Sequence, residues 1–240
     1  WGQQVIEDIL AELDKDAGGE AQTELTWQQV ERIALDDFTA DRARDFVGRE
    51  TVLARLEAFA RSPKAEGASW ALSLTGEAGA GKSAIFSVLR TRLQTDDLVV
   101  LAHAAGASPQ APSVDRMLLR WIEELATTLG VDPGLPEKPS PDDINSAFAS
   151  LLGRVGVQRR VVILIDALDQ LEPTTRGRQM TWLPKLWSDN ARLITTAIPG
   201  EATKALSERK GTETEALGPI TSDEARQIID GICGRYHRTL

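Results

Sequence analysis

The sequence predicts an α/β fold of three layers, in which a mostly parallel five-stranded sheet lies between two layers of helices. From residue 69 onward, apolar segments of strand length alternate with longer amphipathic segments. This alternation is typical of parallel strands that are joined by crossover helices. The 240 residues are enough for one large domain or two small ones. No window approaches the ~18 to 20 apolar residues of a transmembrane helix, so we expect no membrane contact.

Residues 1–45 are predicted to form an acidic helical arm or linker. They carry 12 acids and 4 bases, whereas residues 46–240 carry 24 acids and 23 bases. Such an uneven charge distribution indicates a separate unit. Apolar side chains recur at helical spacing over residues 5–13, and a second helix is predicted from Thr26, which forms a capping-box pattern with Gln29.

The later elements follow in alternation, and most have recognisable ends. Strands are predicted at residues 70–75, 98–102, 161–165, 193–196 and 212–217. Helices are predicted near residues 52–60, 81–93 and 118–129, and from Ser140, which with Pro141 is typical of a helix start. We assign residues 46–217 to one α/β domain. The capping-box pattern of Thr221 with Glu224 predicts the start of a helical lid within residues 218–240.

Composition excludes several classes of function. One cysteine cannot form an internal disulfide, and two histidines beside it are too few for a structural zinc site. The net charge of −9 argues against a protein whose main task is to hold nucleic acid phosphates. We therefore expect a cytoplasmic protein whose partners do not include nucleic acid. Because the chain begins at Trp1 and ends inside a predicted helix, we expect it to be a piece of a longer protein.

Residues 76–83 read GEAGAGKS and match the phosphate-loop pattern G-x-x-x-x-G-K-[ST]. Backbone N–H groups of such a loop point at a phosphate, and the N-terminus of the following helix adds partial positive charge. Lys82 is predicted to reach the β- and γ-phosphates, and the Ser83 hydroxyl is predicted to bind Mg²⁺. The predicted phosphate-binding residues are Gly76, Ala78, Gly79, Ala80, Gly81, Lys82, Ser83 and Ala84.

The apolar segment 161–165 ends in Asp166. A strand of this composition is buried on both faces, and its last side chain lies at the carboxyl edge of the sheet, where ligands bind. Asp166 is therefore the predicted second Mg²⁺ ligand. Two interpretations of Asp169 stay open, because its carboxylate could polarise the attacking water or could cap a helix. Ala167 occupies the position at which fast mechanochemical ATPases usually carry a glutamate, which argues against a fast motor.

The expected base is adenine. The chain contains no Asn-Lys-x-Asp stretch, which is the guanine-reading motif of the small GTPases. The expected ligands are therefore ATP or ADP, with Mg²⁺.

Three segments carry a family resemblance, namely FVGRE at residues 46–50, the phosphate loop, and DALDQL at residues 166–171. Together they resemble the STAND class of signalling NTPases, and within it the NACHT-like branch of telomerase-associated and nephrocystin-type proteins and bacterial relatives. The resemblance covers roughly residues 46–235. It implies a P-loop NTPase sheet of order 5-1-4-3-2. It also implies contacts to the adenine and ribose from Phe46, Val47, Gly48 and Arg49.

One position departs from the STAND pattern. Many STAND ATPases carry an arginine just before the proline that follows the fourth strand, where it senses the γ-phosphate, and this chain has Ile198 there. Thr195 and Thr196 are the remaining polar residues near this position that could sense the γ-phosphate. We assign Thr196 to the catalytic set, together with Lys82, Asp166 and Asp169.

The function expected from these residues is a slow ATPase that acts as a switch. It would couple nucleotide state to conformational change and to self-association of a larger signalling protein with further domains. Two alternatives stay open. One is an AAA+-like ATPase that acts on DNA or replication complexes, and the other is a scaffold that binds nucleotide without hydrolysing it.

Overall fold

A computed structural model describes residues 25–44, 46–63 and 68–235. Its strands are Ala71–Thr75 (β1), Leu98–Ala104 (β2), Arg160–Asp166 (β3), Ala191–Ala197 (β4) and Thr212–Ala216 (β5). They form one five-stranded sheet in the order β2-β3-β4-β1-β5. All four strand pairings are parallel. The predicted order 5-1-4-3-2 is confirmed.

Helices connect these strands. The α-helices of the described ranges are Trp27–Ala43 (α1), Glu50–Arg61 (α2), Lys82–Leu93 (α3), Val114–Leu129 (α4), Pro141–Gln158 (α5), Thr175–Gln179 (α6), Glu201–Ser207 (α7) and Ser222–Arg235 (α8). A short 3₁₀-helix, Leu168–Gln170, follows β3. The helix predicted at residues 5–13 lies outside the described residues.

The sheet separates two hydrophobic cores. Val161, Ile163 and Ile165 of β3 belong to one core, which includes side chains of α4, α5 and α7. Val162 and Leu164 belong to the other core, which includes side chains of α1, α2 and α3. Because successive strand residues point to opposite faces, an all-apolar strand is explained by burial on both of them. The predicted three-layer architecture is confirmed.

The helix starts predicted at Thr26 and Ser140 coincide with the observed ones. The Ser140 hydroxyl accepts a hydrogen bond from the Asp143 N–H, and the Asp143 carboxylate accepts one from the Ser140 N–H. The Thr26 and Gln29 pair makes the same reciprocal contacts at the start of α1. Such capping boxes satisfy backbone N–H groups that have no partner within the helix.

Residues Glu31–Leu240 form one compact unit. Within it, α1 contributes Leu35 to the core, and the Thr39 hydroxyl accepts a hydrogen bond of 3.1 Å from Arg90 of α3. The second half of the segment assigned to an arm therefore packs into this unit. Of the other unit, Trp1–Val30, the structure describes the residues from Leu25 onward.

None of the helices in the part of the chain that the structure describes is both long and apolar enough to cross a membrane.

Candidate functional site

The carboxyl ends of three adjacent strands meet at one edge of the sheet, because β4 lies between β3 and β1. The loop that follows β1, Asp166 at the end of β3, and Thr196 near the end of β4 line a cavity of about 390 Å³, which we call the loop cavity. The predicted site residues that line it are Ala78, Gly79, Gly81, Lys82, Ser83, Ala84, Asp166, Asp169 and Thr196. The structure therefore brings together residues from three separate stretches of the sequence.

Glycine is needed in the loop because of its backbone conformation. Gly79 and Gly81 have φ angles of 79° and 91°, in the left-handed region that side chains disfavour. A Cβ at either position would meet no atom within 4 Å, so steric crowding is not the reason. Gly76 is different, because a Cβ there would lie 3.3 Å from the Leu217 Cβ that follows β5. Gly76 thus permits close packing at the base of the loop.

The Lys82 ammonium folds back over the loop. Its Nζ donates hydrogen bonds of 2.8 Å to the carbonyl oxygens of Gly76 and Glu77. An ammonium has three donors, so these two bonds orient the charge and leave one donor for another acceptor. Lys82 is also the first residue of α3, whose initial backbone N–H groups have no intrahelical partners. The charge and the helix end are features that favour an anion in the loop cavity.

Asp166 is buried, with an exposed fraction of 2%. Burial raises the pKa of its carboxyl above the ordinary value, and it outweighs the hydrogen bonds from Thr196 and Ser83 and the charge of Lys82, all of which lower that pKa. The Thr196 hydroxyl donates to Asp166 Oδ1 and also accepts a hydrogen bond of 3.2 Å from the Ala167 N–H.

The two threonines of β4 that the sequence left as candidates have different surroundings. Thr195 donates a hydrogen bond of 3.0 Å to the Ser73 hydroxyl of β1, inside the sheet. Thr196 contacts Asp166 and lines the loop cavity. The pleat of the strand separates them, since neighbouring side chains point to opposite faces.

Asp169 lines the loop cavity and holds the loop that follows β4. Its Oδ1 accepts a hydrogen bond of 2.9 Å from the Ile198 N–H. Ala167 precedes the 3₁₀-helix with φ 55° and ψ 53°, a left-handed conformation that is costly for alanine. This turn carries the chain from β3 to Asp169, which is therefore both a loop-anchoring group and a carboxylate beside Lys82 and Asp166.

A second cavity of about 180 Å³, which we call the lid cavity, is also lined by residues of the loop. Phe46, Val47 and Arg49 line it together with Ala80, Gly81 and Ala84, and so do residues at the start of α8. Three of the four predicted base-side residues thus share a cavity with residues of the phosphate loop, and Gly48 is not among the residues that line it. Gly48 and Arg49 have φ angles of 83° and 61°, and these two left-handed residues turn the chain sharply into α2.

Arg49 connects this cavity to α8, the helix in the predicted lid segment, which we call the lid helix. Its guanidinium donates a hydrogen bond of 2.9 Å to the Gly218 carbonyl, and its Nε lies 3.6 Å from Glu224 Oε1. The Arg49 side chain is only 12% exposed. Glu224 covers it from a helix that starts far away in sequence.

Glu224 has two contacts, one for each oxygen. Oε2 accepts a hydrogen bond of 2.9 Å from the Thr221 N–H and completes the predicted capping box, whereas Oε1 accepts one of 3.3 Å from the Arg49 N–H. The Thr221 N–H, with smaller contributions from the Thr221 hydroxyl and Arg49, lowers the pKa of the Glu224 carboxyl. Sequence analysis found the capping box but missed this second contact, which no local pattern signals.

The ligands offered by Ser83 and Asp166 fit Mg²⁺. This ion keeps several waters and is bound through one or two carboxylates together with substrate phosphates. Asp166 supplies one buried carboxylate, and the Ser83 hydroxyl is hydrogen-bonded to it. Within the described ranges, no group of three or more His, Cys, Asp and Glu side chains could hold a metal. The site therefore suits an ion that arrives with a phosphate ligand.

A glycine-rich loop after the first strand of a parallel sheet, with a buried carboxylate at the end of a nearby strand, defines a P-loop nucleoside triphosphatase. Residues 45–195, more than half of the chain, match the AAA ATPase domain family. The chain belongs to that family and is an ATPase domain of the AAA type.

Curated relatives are large proteins that resemble this chain over a small part of their length. Human NACHT domain- and WD repeat-containing protein 1 is 28% identical over 246 residues, which is 96% of this chain and 15% of that protein. A TPR repeat-containing protein of Dictyostelium discoideum is 23% identical over 205 residues, 70% of this chain and 12% of that protein. The match to the human protein supports weak homology to NACHT-containing proteins.

Two solved structures illustrate the similarity of fold. The ORC1 protein of Aeropyrum pernix, in complex with DNA, has a TM-score of 0.54 at 20% identity, over 85% of this chain and 53% of that chain. Cdc6p of Pyrobaculum aerophilum has a TM-score of 0.54 at 14% identity, over 83% of this chain and 53% of that chain. At these identities the similarity shows the fold. These matches give no support to the prediction that nucleic acid is not a partner.

Proposed function

We propose that this chain is the ATP-binding, slowly hydrolysing switch module of a larger signalling protein. Its nucleotide state would be coupled to conformational change and to self-association. In this proposal the loop cavity holds the phosphates with Mg²⁺ on Ser83 and Asp166, and the lid cavity holds the adenine. Weak homology to NACHT-containing proteins supports the signalling role.

The observation that carries the switch is the contact of Arg49 with the lid helix. Arg49 lines the lid cavity and is bonded to both Gly218 and Glu224. A base in this cavity would therefore contact the segment before the phosphate loop and the start of α8 at the same time. Nucleotide binding and release would change how firmly the two are held together.

Slow hydrolysis follows from the groups that face the γ-phosphate position. Ala167 has no carboxylate to act as a base directly after Asp166. Asp169 is the remaining carboxylate among the described residues that line the loop cavity, and one of its oxygens already accepts the Ile198 N–H. We assign to Asp169 the orientation of the attacking water through its other oxygen.

Asp169→Asn tests this assignment. Asparagine keeps an oxygen that can accept the Ile198 N–H but loses the charge, so the loop should remain in place. We expect ATP affinity to be nearly unchanged and the single-turnover hydrolysis rate to fall by about 10² to 10⁴-fold, the usual contribution of a general base. If the variant hydrolyses ATP at the parental rate, Asp169 is a loop-anchoring residue and the hydrolytic role lies elsewhere.

Arg49→Ala tests the coupling between base and lid. Because Arg49 contacts both the lid cavity and Glu224, we expect weaker ADP binding and also a lower melting temperature of the apo protein. Glu224→Gln, which keeps a hydrogen-bond acceptor but removes the ion pair, should show smaller changes of the same sign. Isothermal titration with ADP and thermal unfolding measure both effects. If Arg49→Ala binds ADP as the parent does, residues 46–49 have a structural role and do not contact the base.

The similarity to ORC1, whose structure contains DNA, favours a second candidate function, that of an ATPase acting on DNA. Turnover measured with and without double-stranded DNA separates the candidates. Slow turnover that DNA leaves unchanged is expected for the switch. Stimulation by DNA would favour the second candidate, and nucleotide binding without turnover would favour a scaffold. The unmodified chain is expected to prefer ATP over GTP whether it is a switch or an ATPase that acts on DNA.

A further inference from the structure

The loop cavity and the lid cavity share three lining residues, namely Arg42, Gly81 and Ala84. Glycine and alanine have no polar side-chain atoms, so Arg42 provides the polar side chain at the boundary. A nucleotide with its base in the lid cavity and its β- and γ-phosphates in the loop cavity must cross this boundary with its ribose and α-phosphate. Arg42 is therefore located where the α-phosphate of such a nucleotide would lie.

The Arg42 guanidinium is held in place mainly by an aromatic ring. Its Cζ lies 5.1 Å from the centroid of the Phe38 ring, one turn earlier on α1. Its Nη1 donates to Asp41 Oδ2 at 3.5 Å, the upper limit for a hydrogen bond. The side chain is 51% exposed. A guanidinium has five donors in a rigid fork, so these contacts orient Arg42 and leave donors for a phosphate.

The charge balance of the loop cavity also favours a role for Arg42. Among the described residues that line this cavity, the acids are Asp166 and Asp169, and the bases are Lys82 and Arg42. The Lys82 ammonium is held near the start of the loop, by Gly76 and Glu77. Arg42 thus adds a second positive charge, from a different element, on the side that faces the lid cavity. Guanidinium groups bind phosphate oxygens in a bidentate manner.

We propose that Arg42 is a nucleotide-binding residue that contacts the α-phosphate. This inference rests on the proposed binding of ATP and ADP, and it deepens that proposal. Arg42 lies before residues 45–195, which match the AAA ATPase domain family, and before the FVGRE segment. Helix α1 is therefore part of the nucleotide site, and the segment before the ATPase domain contacts the ligand directly.

Competition titrations with ADP, AMP and adenosine test the proposal on the parent chain and three variants. Arg42→Ala should bind ADP and AMP about tenfold more weakly, as expected for the loss of a charged hydrogen-bond partner, and should bind adenosine as the parent does. Arg42→Lys keeps the charge but not the fork, and its ADP affinity should be intermediate. Arg44→Ala is the matched control, since Arg44 also pairs with Asp41 but does not line either cavity. Its affinities should equal those of the parent.

Each contrary result has a distinct meaning. A parent chain that binds no ADP overturns the proposed function before Arg42 is tested. If the parent binds ADP and Arg42→Ala behaves as Arg44→Ala does, Arg42 has no role in binding while the proposed function stands. If adenosine binding falls by the same factor as ADP binding, Arg42 acts on the base or on the fold, and the α-phosphate contact is overturned.

Discussion

Lys82→Ala is expected to weaken ATP binding by about ten- to hundredfold. The charge-assisted contact of its ammonium with the phosphates is worth about 1.5 to 3 kcal/mol, and each tenfold in affinity corresponds to about 1.4 kcal/mol. The fold should survive, because the side chain bonds only to the carbonyl oxygens of Gly76 and Glu77 among its described contacts. Titration with a fluorescent ATP analogue measures the effect.

Lys204→Ala provides a matched control for Lys82→Ala. Lys204 is an exposed lysine on α7 and lines neither the loop cavity nor the lid cavity. Its removal changes the net charge by the same amount and should leave ATP affinity unchanged. Equal affinities of Lys82→Ala and Lys204→Ala would contradict the assignment of residues 76–83 to phosphate binding.

Asp166→Asn is expected to have opposite effects on binding and on stability. An amide is a poorer ligand for Mg²⁺ than a carboxylate. Mutation of a residue that only supports a metal ligand typically weakens metal binding by about 10- to 100-fold. We therefore expect the Mg²⁺-dependent part of the ATP affinity to fall by at least about tenfold. Titrations with ATP in Mg²⁺ and in a chelator measure this part directly. Affinity that stays equal to the parent's in Mg²⁺ would contradict the metal assignment.

The apo form of Asp166→Asn should be more stable than the parent at neutral pH. Burial raises the pKa of Asp166 in the folded protein above the ordinary value of 3.8, so the folded state binds this proton more tightly than the unfolded state. The parent therefore loses stability as the pH rises through the raised pKa. Melting temperatures should differ most at pH 7 and converge as the pH falls toward 3.8. A variant less stable than the parent at pH 7 would contradict this prediction.

The sheet and the phosphate loop were predictable because their signals are local. Strand-length apolar segments, the capping boxes at Thr26 and Ser140, and the GEAGAGKS pattern each depend on a few neighbouring residues. The sheet order came from the family resemblance, and the pairings of β1 with β4 and β5 confirm it. Neighbouring residues were enough to predict those helices, strands and loops whose conformation depends on their own sequence.

The remaining features depend on residues that are distant in sequence. The partners of Thr195 and Thr196 depend on the strands beside β4, since one hydroxyl contacts Ser73 and the other contacts Asp166. The burial of Arg49 needed Glu224, which is 175 positions away. No periodic pattern or motif links such residues, so tertiary packing alone brings them together.

The two contacts of Glu224 have a practical consequence for dividing this protein. A fragment that ended at Leu217, the predicted boundary of the nucleotide-binding domain, would lack Gly218, Thr221 and Glu224. Arg49 would then lose its carbonyl acceptor and its carboxylate, and the lid cavity would lose one wall. Such a fragment would keep a complete phosphate loop and yet read the base poorly. If the base lies in the lid cavity as proposed, the smallest piece that can discriminate between nucleotides extends through the first turns of α8.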